Sequence, residues 1–233
     1  MRSTGDNRRF LFLQGPHGPF FRELGAMLRQ AGAEVWRVGF NRGDQAYWGG
    51  MGYLPYTGPQ GDWPAWFEAR LDALQITDLV LYGDTRFIHA EAVTRARARG
   101  LTVHVFEEGY LRPWWVTYER GGSNGNSRLM RLSVAEMQRA LERVETDLID
   151  APAHWGDMRQ HVWYGAAYHA RILLANRAYR GFRAHRALNV GQEFRLHLGR
   201  LLAMPFHSIE RRLATRRVRR GGFPYHLALL QPA

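Results

Sequence analysis

Apolar positions along the chain alternate between two rhythms. Arg9 to Gln14 (RFLFLQ) is a compact apolar run closed by Gly15-Pro16-His17-Gly18, the pattern of a buried strand running into a tight turn. From Phe20 to Gly32 the spacing becomes helical, with Phe20, Phe21, Leu24, Met27, Leu28 and Ala31 on one stripe; Gly32 suits the position just past a helix end. Glu34 to Phe40 (EVWRVGF) returns to a strand. Strand, loop, helix, strand is a crossover unit, which predicts parallel pairing. A Gly/Tyr/Pro-rich stretch from Asn41 to Asp62 reads as loop. The alternation then resumes: a helix over Trp63 to Leu74, a strand over Asp78 to Tyr82, a helix over Ile88 to Arg99, and a strand over Leu101 to Phe106. This order predicts an α/β fold with a Rossmann-like parallel sheet.

In such sheets the ligand site lies outside the carboxyl ends of the strands. Polar clusters fall at all four of those ends: Gln14 to Gly18, Asn41 to Asp44, Gly83 to Arg86, and Glu107-Glu108-Gly109. Each alone is ordinary turn chemistry, but four on one edge predict a cleft. A dinucleotide reading fails, because neither G-x-G-x-x-G nor a phosphate-loop signature occurs. The ten histidines include no H-E-x-x-H, and His161 and His169 have no acidic neighbours at metal spacing. Neither a metal nor a cofactor is expected.

Composition adds a division. Hydrophobic residues are 45% and aromatics 13%, enough for a packed core, and the absence of cysteine excludes a disulfide framework. The N-terminus has no signal-peptide pattern, and no stretch approaches the length needed to span a bilayer, so a cytoplasmic location is expected. Residues 1–150 hold 18 Arg and 18 Asp+Glu, whereas residues 151–233 hold 14 Arg and 3 acids, which accounts for the whole net charge of +11. From about His154 to Arg220 the basic part reads as helical. Trp155, Trp163, Tyr164, Tyr168, Tyr179 and Phe182 interleave with arginine, Arg177, Arg180, Arg183 and Arg186 recur every third residue, and a cluster runs from Arg211 to Arg220. Such faces suit anionic lipid headgroups and equally nucleic acid. The plain alternative is a helix that packs on another domain. No recognised nucleic-acid-binding fold accompanies the charge, so no nucleic-acid partner is expected.

Three segments, "LQGPHGPFFRELGAMLRQAGAEVWRVGFNRGD", "LVLYGDTRFIH" and "FEEGYLRPWWVTYERGGSNGNS", resemble in order the signatures of the capsule polysaccharide biosynthesis/export family, the KpsS-type bacterial β-Kdo (3-deoxy-D-manno-octulosonic acid) transferases. "YRGFRAHR" and "FPYHLALLQ" continue the resemblance more loosely. It implies a GT-B-type glycosyltransferase with two facing Rossmann-like halves. Such an enzyme transfers Kdo from CMP-Kdo to a lipid-linked, phosphatidylglycerol-type acceptor, as a peripheral protein on the inner face of the inner membrane, where other capsule assembly proteins are possible partners.

By position, the resemblance puts the catalytic carboxylate on Glu108, with Glu107 the alternative. Breaking the bond from CMP to a 2-keto sugar develops positive charge at the anomeric carbon, which a carboxylate stabilises as nucleophile or, toward the acceptor hydroxyl, as base. Retention of configuration favours the nucleophile. Gln14, Gly15, Gly18, Asn41, Asp44, Asp84, Arg86 and Arg112 are the substrate-binding candidates. Arg112 can meet an acceptor phosphate or a Kdo carboxylate, or equally pair with Glu107 or Glu119. Asp84 and Arg86 can likewise pair with each other. One departure stands out: the family's second half carries a His-Pro element, and no His-Pro pair occurs in these 233 residues. The expected organisation is an acceptor and carboxylate domain over 1–150, an Arg-rich helical segment over 151–222, and the start of a donor-binding domain at 223–233. A chain of that kind is expected to be truncated and inactive alone. The rival from another class is a non-catalytic Arg-rich protein that binds anionic membrane or RNA.

Overall fold

The computed structural model describes residues 7–109, 115–144, 158–182 and 190–222. Arg112 and the segment 223–233 lie outside the described residues. The chain divides into two units, Met1–His185 and Arg186–Ala233.

The first unit is built on a six-stranded sheet in the order β3-β2-β1-β4-β5-β6. Its strands are β1 (Arg9–Phe12), β2 (Glu34–Gly39), β3 (Tyr53–Pro55), β4 (Asp78–Tyr82), β5 (Thr102–Glu108) and β6 (Val116–Arg120). The first five pair in parallel, and β6 runs antiparallel to β5. The helices are α1 (Phe20–Gln30), α2 (Arg42–Trp48), α3 (Trp63–Leu74), α4 (Phe87–Ala98), α5 (Val134–Leu141) and α6 (Met158–Ala175), with α7 (Val190–Arg220) in the second unit. The α/β, Rossmann-like expectation holds.

The unbroken apolar run of β1 follows from burial on both faces. Leu11 and Leu13 point into one core with Val38, Phe40, Trp63, Phe67, Leu79 and Val105, under α3 and α4. Phe10 and Phe12 point into the other, with Phe21, Val35, Trp48 and Val80, under α1 and α2. Burying one such side chain contributes about 1.5–3 kcal/mol, and β4 is anchored in the same way, with Leu79 and Leu81 in the first core and Val80 in the second.

Four elements depart from the sequence reading; one, α5, is set by a capping box between Ser133 and Glu136. Within the expected loop 41–62, α2 forms because the Asn41 side chain caps it, accepting from the Asp44 N–H at 2.8 Å, and Gly49 ends it in the left-handed region. Its sequence RGDQAYW lacks helical apolar periodicity, which hid it. The short edge strand β3 is held by pairing with Arg37 to Gly39. At the other edge, β6 extends the sheet, and β5 runs to Glu108, so both acids lie within a paired strand.

At the amino ends of the strands, Asp78 is buried and paired with Arg8, while His104 Nε2 lies 2.8 Å from its carboxylate. Burial opposes ionisation there. Hydrogen bonds from His104, Arg8 and Thr77 outweigh it and hold the Asp78 pKa at about 2.

Candidate functional site

The carboxyl ends of β4 and β5 carry an acidic pair, Asp84 buried and Glu107 half-buried. The chain leaves β4 through Gly83, at φ 70°, whose carbonyl oxygen accepts from His89 Nδ1 at 2.5 Å. A Cβ at Gly83 would stand 3.2 Å from Glu107 Oε1, so glycine lets that carboxylate approach the turn. Asp84 follows, almost wholly buried. Its Oδ2 accepts from the Ser123 N–H at 3.0 Å and Asn126 Nδ2 at 3.1 Å, while Oδ1 is buried with no hydrogen-bond partner among the described residues.

Glu107 and Glu108 are successive strand residues, so their side chains leave opposite faces of the sheet. Glu107 is half-buried. Its Oε1 accepts from Asn124 Nδ2 at 3.3 Å and Ser123 Oγ at 3.4 Å. Burial, then Asp84 and Glu108, push its pKa up, while Ser123 and the Arg86 guanidinium oppose the rise. Glu108 is exposed on the other face, opposite Val116 of β6. The two acids are therefore not interchangeable.

The sequence reading gives the loop after β6 no role, yet its Ser123, Asn124 and Asn126 supply the hydrogen-bond donors to Asp84 and Glu107. Their visible signal was "GGSNGNS": glycines and asparagines that accept unusual backbone angles, as Asn124 does at φ 49°.

On the β1–β2 side the candidates meet a helix instead of an opening. Asp44, fully buried, accepts from the Phe40 N–H at 3.0 Å, Tyr168 OH at 3.1 Å and Arg37 Nη2 at 3.3 Å. Burial pushes its pKa up, and Arg37 and the other donors oppose that rise. Asn41 Nδ2 donates to Tyr168 OH at 2.7 Å. Gln14 Nε2 points to the same phenol at 3.3 Å and to Asp44 Oδ2 at 3.4 Å. Tyr168 belongs to α6, and its ring lies so close to Gly43 that a Cβ there would stand 2.4 Å from it. Gln14, Asn41 and Asp44 thus form the seat of α6. Gly15 lies against the Phe21 ring, and Gly18, at φ 112°, faces the Tyr164 ring of the same helix.

One residue joins the two sides. Arg86 Nη1 donates to Gln14 Oε1 at 3.1 Å, and its charge acts on Glu107. Asp84 bonds the β6 loop while Arg86 bonds Gln14. The edge therefore offers a half-buried carboxylate with one oxygen already hydrogen-bonded, a guanidinium beside it, and a second carboxylate behind. That set can stabilise a developing cation and hold an anionic substituent. Among the described residues no cluster of three or more His, Asp or Glu is arranged to hold a metal.

A family model described as "Capsule polysaccharide biosynthesis protein" matches residues 77–231. The match takes in Asp84, Arg86, Glu107 and the β6 loop, and begins after Gln14, Asn41 and Asp44. The capsule polysaccharide export protein KpsS of Escherichia coli is 38% identical over 124 residues, covering 53% of this chain and 32% of that protein. The capsule polysaccharide modification protein LipB of Neisseria meningitidis serogroup B is 28% identical over 189 residues, covering 78% of this chain and 44% of that protein. The chain thus spans less than half the length of these curated relatives.

Proposed function

Because the chain belongs to the capsule polysaccharide biosynthesis protein family, we propose that the β4–β5 edge is the acceptor and carboxylate side of a glycosyltransferase that moves Kdo from CMP-Kdo to a lipid-linked acceptor. The observation that carries this reading is the state of Glu107: half-buried, held at Oε1 by Ser123 and Asn124, and flanked by Arg86.

The chemistry follows from that arrangement. As the bond from the anomeric carbon to the CMP phosphate oxygen breaks, its electron pair leaves with CMP and positive charge grows on the sugar. The free oxygen of Glu107 attacks that carbon and forms a glycosyl ester. The acceptor hydroxyl then displaces the carboxylate, losing its proton to a base, and Glu107 returns to its ionised form. Two inversions give net retention. Ser123 and Asn124 fix the carboxylate before the reaction, so little reorganisation is needed at the transition state. Arg86 offers a planar two-donor fork to the Kdo carboxylate or to an acceptor phosphate. Glu108, the first choice by resemblance, leaves the opposite strand face and is exposed there.

The test is transfer of labelled Kdo from CMP-Kdo to a phosphatidylglycerol-type acceptor. It compares Glu107→Gln and Glu108→Gln in this chain joined to the remaining length its relatives possess. The reading expects the first change to abolish transfer and the second to leave most of it. Absence of transfer by the unaltered protein, or full activity of Glu107→Gln, would sink it.

A further inference from the structure

Towards the amino ends of β4 and β5, on the sheet face opposite to Glu107, three side chains run in a line from the interior to the surface. Asp78 is 2% exposed, His104 7% and Tyr118 44%. Asp78 Oδ1 lies 2.8 Å from His104 Nε2, and His104 Nδ1 lies 2.7 Å from the Tyr118 hydroxyl.

The chemistry of the groups fixes which of them donates. Asp78 stays ionised, with Arg8 and Thr77 also donating to it, so its oxygen can only accept and His104 Nε2 carries the hydrogen. In the neutral imidazole Nδ1 is then the acceptor, and the phenol O–H donates to it. A hydroxyl therefore meets a base that a buried carboxylate orients from its far side, the arrangement that activates hydroxyl nucleophiles in acyl transfer. Holding the edge strand does not require this line, since β6 pairs with β5 from Glu108↔Val116 to His104↔Arg120. Two guanidiniums stand at its open end. Arg120 Nε donates to the Tyr118 oxygen at 3.4 Å, and Arg8 Nη2 reaches within 3.4 Å of His104 Nε2. They stabilise negative charge on the phenol oxygen and draw in the oxygens of a phosphoryl group.

We propose that Tyr118 is a nucleophilic phenol, a modification site that takes a phosphoryl group from an activated phosphoryl donor. The Tyr118 oxygen forms a bond to phosphorus, and the donor's leaving group departs with the electron pair of the bond that breaks. The phenol proton passes to His104 Nδ1, giving an imidazolium that the Asp78 carboxylate stabilises. The step uses neither Glu107 nor a sugar nucleotide, so it stands or falls separately from glycosyl transfer.

A fluorophosphonate probe tests this on the 233-residue chain, with fluoride as the leaving group. Labelled tyrosines are located by proteolysis and mass spectrometry. Tyr164, whose hydroxyl accepts from the Gln160 amide at an exposed position, is the reference within the same molecule. Tyr118 is expected to react faster than Tyr164 by on the order of 10²-fold, the scale of general-base assistance. In His104→Gln an amide oxygen can accept the hydrogen bond but not the proton, so Tyr118 labelling should fall to the Tyr164 rate with unchanged far-UV circular dichroism. Tyr118 reacting no faster than Tyr164 in the unaltered chain overturns the proposal. So does unchanged Tyr118 labelling in a folded His104→Gln protein. If that variant does not fold, the ratio of the two tyrosines in the unaltered chain decides alone.

Discussion

Removing one oxygen atom from Tyr168 asks whether α6 is fastened to the sheet by polarity or by packing alone. The phenol is buried, accepts from Asn41 Nδ2 at 2.7 Å, and donates to Asp44 Oδ1 at 3.1 Å. In Tyr168→Phe the ring still fills the space over Gly43, so the apolar contribution is preserved. What changes is satisfaction. Asn41 Nδ2 loses its acceptor, and each buried group left without a partner costs about 1–3 kcal/mol. Asp44 keeps Phe40 N–H, Arg37 and Gln14, so its loss is the smaller one. The sum is about 2–4 kcal/mol, which for a chain of this size lowers Tm by roughly 4–16 °C. Tyr164→Phe is the control. Its hydroxyl accepts from Gln160 at an exposed position, where loss costs within about 0.5 kcal/mol. Urea unfolding followed by circular dichroism measures both, and hydrogen exchange along α6 reports whether the helix loosens before the sheet. A Tyr168→Phe protein as stable as the control would refute polar fastening.

Further outcomes follow from the same contacts. Glu107→Gln removes charge while keeping volume, and should cost transfer on the order of 10²-fold or more; circular dichroism should not change, and Glu108→Gln should retain most activity. Gly43→Ala places a methyl group 2.4 Å from the Tyr168 ring, so it should destabilise by about 1–3 kcal/mol, read as a lower urea midpoint. Asp78 has its pKa depressed to about 2, so its stabilisation is complete above the unfolded carboxyl value near ~4 and is lost as pH falls toward 2. Stability should therefore drop by about 1–3 kcal/mol between those pH values, and Asp78→Asn should flatten that part of the profile, measured as Tm against pH.

The alternation of RFLFLQ, EVWRVGF and DLVLY with helical stripes was enough for a parallel sheet, because burial on both faces demands continuous apolar runs and crossovers demand helices. The polar loops at the strand ends were legible for the same reason, since the topology puts every carboxyl end on one edge. Side-chain direction and occupancy were not. The choice between Glu107 and Glu108 depends on strand parity, which became definite only when β6 paired with β5 as far as Glu108 and fixed which acid faces the Asn124 loop. Gln14, Asn41 and Asp44 read as a cleft because their partner, Tyr168, stands more than 120 residues away in sequence. Local pattern reports which residues can be buried or turn; it carries no information about a phenol brought from a distant helix. The tertiary structure supplied that contact, closing one side of the edge and leaving Arg86 and Glu107 on the other.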